Sequence, residues 1–348
     1  MKTRHLAILT LLICLGCAQA QDNAQSQAQA SPQVRLTALQ EADLQTWMNL
    51  LAGDAMRGRD SGSPEILLSA GYIAGVWQSM GLTPVPGSGS FFHPFSFSSG
   101  GEIYNEYNVV GYLEGSDPDL MEEMILIGAH YDHVGVGNPV DGDSIYNGAD
   151  DDASGTVALL GIAKLLAAGE RPARSVVFCA WGAEEMGLRG SKAFAANPTV
   201  DLAKVVVNYN LEMIGHAEEL GEGKVFMTGP EYSDLADHVR GYLSHGGFEL
   251  IPNPFASMDL FYRSDNASFV NLNEGNGRDK KMAGIPAHTF CTWGSESHYH
   301  KPNDEPDGIN YANMHKLILA LTPAIAASAN GTEWVQWTDK KFIRYEGK

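Results

Sequence analysis

Between residues 107 and 210 the chain switches repeatedly between short apolar runs and helical periodicity, and this alternation restricts the fold more than any other feature. Tyr107–Leu113, Met124–Ala129, Ser175–Trp181 and Val205–Asn210 are rich in strand-forming residues. Between them, Ser154–Ala168 places Val157, Leu160, Ala163 and Leu165 along one helical face, and Leu188–Ala196 reads as a shorter helix. Strands alternating with helices of this length predict an α/β fold, a mostly parallel mixed sheet sandwiched between helices. In such sheets ligands bind beyond the carboxyl ends of the strands.

The flanking segments extend this pattern. Leu36, Leu39, Leu44, Trp47, Leu50 and Leu51 recur at helical spacing, a second helix is expected over Glu65–Met80, and Gly81 stops it. The Pro/Gly/Ser-rich stretch from Pro84 to Gly101 reads as loop. Further on, Val225–Thr228 and Ala287–Trp293 read as strands, Ser233–Ser244 as a helix and Tyr311–Ala327 as a long closing helix. Asn273–Lys281 is polar and reads as a surface loop near the site. No repeat or inserted domain interrupts residues 35–348, which are expected to form a single domain; residues 21–34 are Gln/Ala-rich and read as a disordered spacer.

The first twenty residues place Lys2 and Arg4 before an apolar run from Leu6 to Leu15, followed by Ala18-Gln19-Ala20, the pattern of a cleaved secretory signal. Leu15-Gly16-Cys17 also resembles the end of a lipoprotein signal, although Cys14 stands where that pattern usually has Leu, so a lipid anchor at Cys17 is the alternative. Either leads to an exported protein, periplasmic or secreted. A formal charge of -19 over 348 residues argues against nucleic acid or an anionic membrane as partner. Outside the leader only Cys179 and Cys291 remain, both in apolar strand-like runs, where buried thiols are expected and one disulfide is the alternative.

Polar clusters follow the strands directly: Gly128-Ala129-His130-Tyr131-Asp132-His133, Trp181-Gly182-Ala183-Glu184-Glu185 and Asn210-Leu211-Glu212-Met213. Tyr299-His300-Lys301-Pro302-Asn303-Asp304 comes soon after the last strand, and Gly148-Ala149-Asp150-Asp151-Asp152 immediately precedes a helix whose positive end favours ionised carboxylates. Parallel strands bring such clusters to one edge of the sheet. His nitrogens and carboxylate oxygens suit zinc. The adjacent Glu184 and Glu185 would repel each other unless a cation lay near.

These motifs together resemble the family of co-catalytic two-zinc aminopeptidases typified by secreted bacterial leucine aminopeptidases, distant kin of glutamate carboxypeptidase, transferrin receptor and glutaminyl cyclase. The resemblance runs from about Leu50 to the closing helix and implies a zinc aminopeptidase-like (phosphorylase/hydrolase-like) fold. It implies that two Zn2+ ions are held by His130, Asp151, Glu185, Glu212 and His300. Asp151 would bridge both ions, His130 and Glu212 would complete the first, and Glu185 and His300 the second. Glu184 matches the general base and Tyr299 a donor to the developing oxyanion. Asp132 matches a carboxylate that orients the ligand histidine, Arg263 an arginine near the substrate carbonyl, and Asp265 a supporting carboxylate. Glu212 stands where many relatives have Asp. The implied activity is hydrolysis of the amino-terminal bond of peptides with a free amino terminus. Glutaminyl cyclase-like acyl transfer, carboxypeptidase action and a catalytically dead binding scaffold are the alternatives. Neither the side-chain specificity nor the oligomeric state is legible in the sequence.

Overall fold

In chain order the strands are β1 (Phe92–Ser99), β2 (Glu102–Leu113), β3 (Met124–His130), β4 (Val136–Val140), β5 (Asp143–Ile145), β6 (Ser175–Trp181), β7 (Val205–Leu211), β8 (Lys224–Met227), β9 (Glu249–Ile251) and β10 (Ala287–Cys291). The helices are α1 (Glu41–Leu51), α2 (Pro64–Ser79), α3 (Gly155–Ala168), α4 (Arg189–Ala196), α5 (Leu235–His245), α6 (Ala267–Val270) and α7 (Tyr311–Asn330). They come from a computed structural model that describes residues 34–270, 272, 284–294, 297–331 and 334–339. The leader, Cys17, nearly all of the spacer and the Asn273–Lys281 segment lie outside the described residues.

Eight strands form one sheet in the order β1-β2-β6-β3-β7-β10-β8-β9, while β4 and β5 pair as a separate hairpin. The central neighbours β6, β3, β7 and β10 are mutually parallel. β2 joins β6 antiparallel and β8 joins β10 antiparallel, giving the mixed α/β sheet that the alternation predicts. Every residue of β3, β6, β7 and β10 is buried, as expected of strands covered on both faces. Side chains alternate between the faces. Ile125, Ile127 and Ala129 of β3 enter the core built with α1, α2, α3, α5 and α7, whereas Met124 and Leu126 enter a second core with Phe194 of α4 and Phe269 of α6.

Three sequence expectations need correction. The helix expected over Leu36–Leu51 is divided, a 3-10 turn at Leu36–Ala38 preceding α1. Gln40 is extended and caps α1 in a reciprocal box with Asp43, which interrupts the helical run despite its apolar spacing. The supposed loop Pro84–Gly101 contains β1, whose alternation is masked by serines and Pro94. At the sheet edge, where Pro is tolerated, Phe92, Phe97 and the buried Phe95 still supply strand character. The second helix begins at Pro64, with the Ser63 hydroxyl accepting from the Ile66 N–H at 3.2 Å.

Cys179 and Cys291 are free and buried, the arrangement expected of small apolar side chains. No helix of the described residues is long and apolar enough to cross a membrane.

Candidate metal centre

The carboxyl ends of β6, β3, β7 and β10 lie along one edge of the sheet, with His130 of β3 paired in register to Trp181 of β6. The candidate residues gather on this edge. His133, Asp151, Glu185 and His300 each offer one donor atom within 4.8 Å of the others. His300 Nε2 lies 3.1 Å from both Asp151 Oδ2 and Glu185 Oε1. His133 Nδ1 lies 3.1 Å from the same Glu185 oxygen, and His130 Nε2 lies 3.3 Å from Asp151 Oδ1 on the other side. The His300 side chain is 34% exposed and that of His133 not at all, so the cluster opens to solvent past His300.

The three consecutive aspartates have separate tasks. Asp150 accepts from the Gly215 N–H at 2.7 Å, and Asp152 accepts from the N–H groups of Gly155 and Met213, both at 3.0 Å. These bonds tie the turn before α3 to the segment after β7. Asp151 alone turns its carboxylate into the cluster. Its backbone N–H and that of Asp150 donate to the Asp304 carboxylate at 3.1 and 2.8 Å, so the segment carrying His300 also fixes the turn carrying Asp151.

Asp132 lies under the His130 ring through both its main chain and its side chain, and its carboxylate also has a further task. The ring Nδ1 of His130 meets the main-chain carbonyl of Asp132 at 3.1 Å, and the Asp132 carboxylate is 3.7 Å away. The short His-Tyr-Asp turn brings the carbonyl nearer to the ring than the side chain. That contact still leaves Nε2 facing Asp151, as a ligand histidine requires. The Asp132 carboxylate accepts from the N–H groups of Glu184 and Glu185 at 2.9 and 3.1 Å, thereby setting where both glutamates begin.

Glu212 stands beyond the four-donor group, its carboxylate accepting from the Ser264 hydroxyl. Tyr299 stacks on His300 with ring centroids 3.9 Å apart. Glu212, Tyr299 and Arg263 line a pocket whose other walls include Met213, Phe226, Met258, Leu260 and Trp293. Asp265 is fully buried, and its two carboxylate oxygens have no hydrogen-bond partner among the described residues.

Two contributors escaped the sequence reading. His133 shares the His-Tyr-Asp-His turn with His130, and the repeated His type within four residues is the signal that could have drawn notice. Arg59 had no such signal, because its partners are main-chain carbonyls. Fully buried, it donates from Nε to Tyr131 O (2.8 Å), from Nη1 to Leu51 O and Asn147 O (2.7 Å each) and from Nη2 to Gly148 O (2.8 Å). Its own carbonyl accepts the His133 N–H at 3.2 Å.

Electrostatics and unmet polar atoms both point to a cation. His130 Nε2, His300 Nε2 and Asp151 Oδ2 are buried without hydrogen-bond partners, and an orphaned buried polar atom is costly. A metal ion among them satisfies all three, and the imidazole and carboxylate donor set suits zinc. Without it, burial first and neighbouring carboxylates second push Glu212 up to about 8 and Asp150 and Asp304 up to about 7. Burial acts to lower His300, but Asp151 and Glu185 raise it to about 10. Burial likewise opposes ionisation of Asp151, yet the facing imidazoles of His130 and His300 hold it below the usual carboxylate range.

The sign of the resulting pH dependence is defined. Acids with raised folded values bind more protons folded than unfolded, so their stabilisation fades as pH climbs from the ordinary carboxylate range through their folded values of about 7 to about 8. His300, also raised, contributes stability that is lost between its ordinary value and about 10. Asp151 and Glu185, held low, lose stabilisation only in acid, below this window. Metal-free protein should therefore melt at progressively lower temperature as pH rises from mildly acidic to about 8, while zinc-loaded protein should change far less. Thermal unfolding of both forms across that range checks this, and a flat profile for the metal-free form would contradict it.

Residues 108–324 match the family model described as peptidase family M28. The chain is 27% identical over 297 residues to leucine aminopeptidase 2 of Arthroderma otae, covering 79% of this chain and 56% of that protein. It spans about half or less of the length of the curated relatives it matches. An aminopeptidase from Aneurinibacillus sp. strain AM-1 has the same fold, with a TM-score of 0.67 at 17% identity over 86% of this chain and 96% of that one. A glutaminyl cyclase of Porphyromonas gingivalis shares it too, with a TM-score of 0.62 at 16% identity over 82% of this chain and 97% of that one.

Proposed function

This chain belongs to peptidase family M28, and on that premise we propose that it is a zinc-dependent aminopeptidase holding two zinc ions. His130, Asp151 and Glu212 would hold the first, and Asp151, Glu185 and His300 would hold the second. The observation that carries the reading is the convergence of partnerless histidine and carboxylate atoms at the ends of four parallel strands, beside a pocket with apolar walls. When bound, zinc acidifies a water towards neutrality and polarises the substrate carbonyl.

The protein side chains then carry the proton and orient the peptide. Glu184, held by Asp132 through its backbone N–H, takes a proton from the water and delivers it to the leaving amine. Tyr299, raised above the ordinary phenol range chiefly by burial, keeps its proton and donates to the oxyanion. Met213, Phe226, Met258 and Leu260 receive an apolar side chain of the amino-terminal residue. Export to the periplasm or the medium follows from the leader.

Charge favours the amino terminus of the peptide over its carboxyl terminus. Asp132, Asp150, Asp152, Asp265 and Asp304 are all buried around the ligands, and among the described residues Arg263 is the only cationic one lining the pocket. Bound dications would keep these acids ionised and, with Asp151, Glu185 and Glu212 as ligands, would leave carboxylates in excess, a field that attracts a substrate ammonium and repels a terminal carboxylate. Leu and Phe chromogenic amides with a free amine should be cleaved, their N-acetylated forms should be nearly inert, and peptides beginning with Gln should be hydrolysed rather than cyclised. Equal rates on free and acetylated substrates would overturn the aminopeptidase reading.

A further inference from the structure

The two sets of ligands in the proposed function leave His133 unused, although it faces the same point as three of them. The His133 side chain is fully buried. Its ring packs directly on Gly148, where φ is +58° and any Cβ would lie 2.4 Å from the ring, so the position takes only glycine. The backbone of His133 is held by its N–H bond to the Arg59 carbonyl. The ring is thus fixed by its surroundings before any ion binds.

Its direction is informative. His133 Nδ1 lies 3.1 Å from Glu185 Oε1 and 3.9 Å from Asp151 Oδ2, the two oxygens that His300 Nε2 approaches at 3.1 Å each. Tetrahedral bonds of about 2.0–2.2 Å to one zinc set neighbouring donors about 3.3–3.6 Å apart. The observed separations bracket that spacing. A histidine that only oriented Glu185 would need to meet that carboxylate alone, whereas this one converges on a centre common to four donors.

We propose that His133 is a fourth protein ligand of the second metal ion, so that His133, Asp151, Glu185 and His300 enclose it. The inference rests on the two-metal reading above and changes what the two ions do. Four protein ligands would enclose that ion as in structural zinc sites, while His130, Asp151 and Glu212 would leave the other ion a position for water and substrate. The enclosed ion would then be the tighter of the two and would serve chiefly to fix Asp151 and Glu185.

Cobalt titration of the metal-free protein tests this independently of turnover. The first equivalent bound to the wild type should give the intense visible absorption of a four-coordinate ion. The His133→Asn variant should bind its tighter equivalent with the weak absorption of a more highly coordinated ion. Its affinity should fall by more than the roughly 10- to 100-fold expected for losing a residue that merely orients a ligand. His133→Asp, which keeps a donor, should recover part of that affinity, and thermal unfolding of the metal-free forms shows that both variants fold. An unchanged spectrum in His133→Asn would overturn the assignment of His133 while leaving two-metal binding intact. Failure of the wild type to bind cobalt or zinc would instead overturn the metal reading itself.

Discussion

Replacing Glu184 with Gln is expected to lower kcat by about two to four orders of magnitude, the usual contribution of a positioned general base, while leaving the metal content unchanged. Glu184 and Glu185 are neighbours in sequence, and Asp132 holds both backbone N–H groups, yet their carboxylates have different surroundings. Glu185 sits among His133, His300 and Asp151, which makes it a ligand candidate. Glu184 stands outside that group, raised well above the ordinary carboxylate range by burial and then by Glu212, Asp265 and the Glu185 charge. A bound dication lowers such a value, bringing the group towards the neutral range where a base works best. Gln keeps its shape and loses its basicity. Glu185→Gln should instead release metal. Steady-state kinetics with elemental analysis of both variants separates the two roles, and undiminished turnover in Glu184→Gln would remove Glu184 from the chemistry.

Complete removal of metal should have a still larger effect, reducing hydrolysis to background, with zinc restoring it. The four donors that converge in the cluster are imidazoles and carboxylates, which carry no hydroxyl or thiol nucleophile. Water at neutral pH is too weak a nucleophile without a Lewis acid. Dialysis against a strong chelator, elemental analysis and readdition of zinc provide the measurement. Full activity in demonstrably metal-free protein would end the metallopeptidase reading.

Much of this was legible in the sequence because the central strands are buried on both faces and announce themselves as uninterrupted apolar runs. Polar residues directly after such runs must lie at a strand end, so His130, Glu185 and Glu212 could be placed at one edge without coordinates. The edge strand β1 was not legible, because its outward residues are serines and a proline that read as loop. Residue type and spacing alone did not tell Asp150, Asp151 and Asp152 apart either; the family resemblance singled out Asp151. Their roles depend on partners up to 154 residues away, such as Asp304 for the backbone of Asp150. The same holds for Asp132, whose carboxylate, besides lying 3.7 Å from His130, serves two N–H groups after another strand.

Arg59 has a kinetic consequence. One side chain fastens carbonyls from the end of α1, from the turn after β3 and from the segment before Asp151. None of these bonds involves a metal atom, so they can form as the chain folds, and an arriving ion would meet loops already tied together. Its departure would leave a folded vessel whose acids take up protons. Replacement of one dication by another would then proceed by exchange with solvent, on the timescale of ligand dissociation. Which ion occupies the protein at any moment is set by donor preference and by the supply of dications around it, because no folding step intervenes to trap the first arrival.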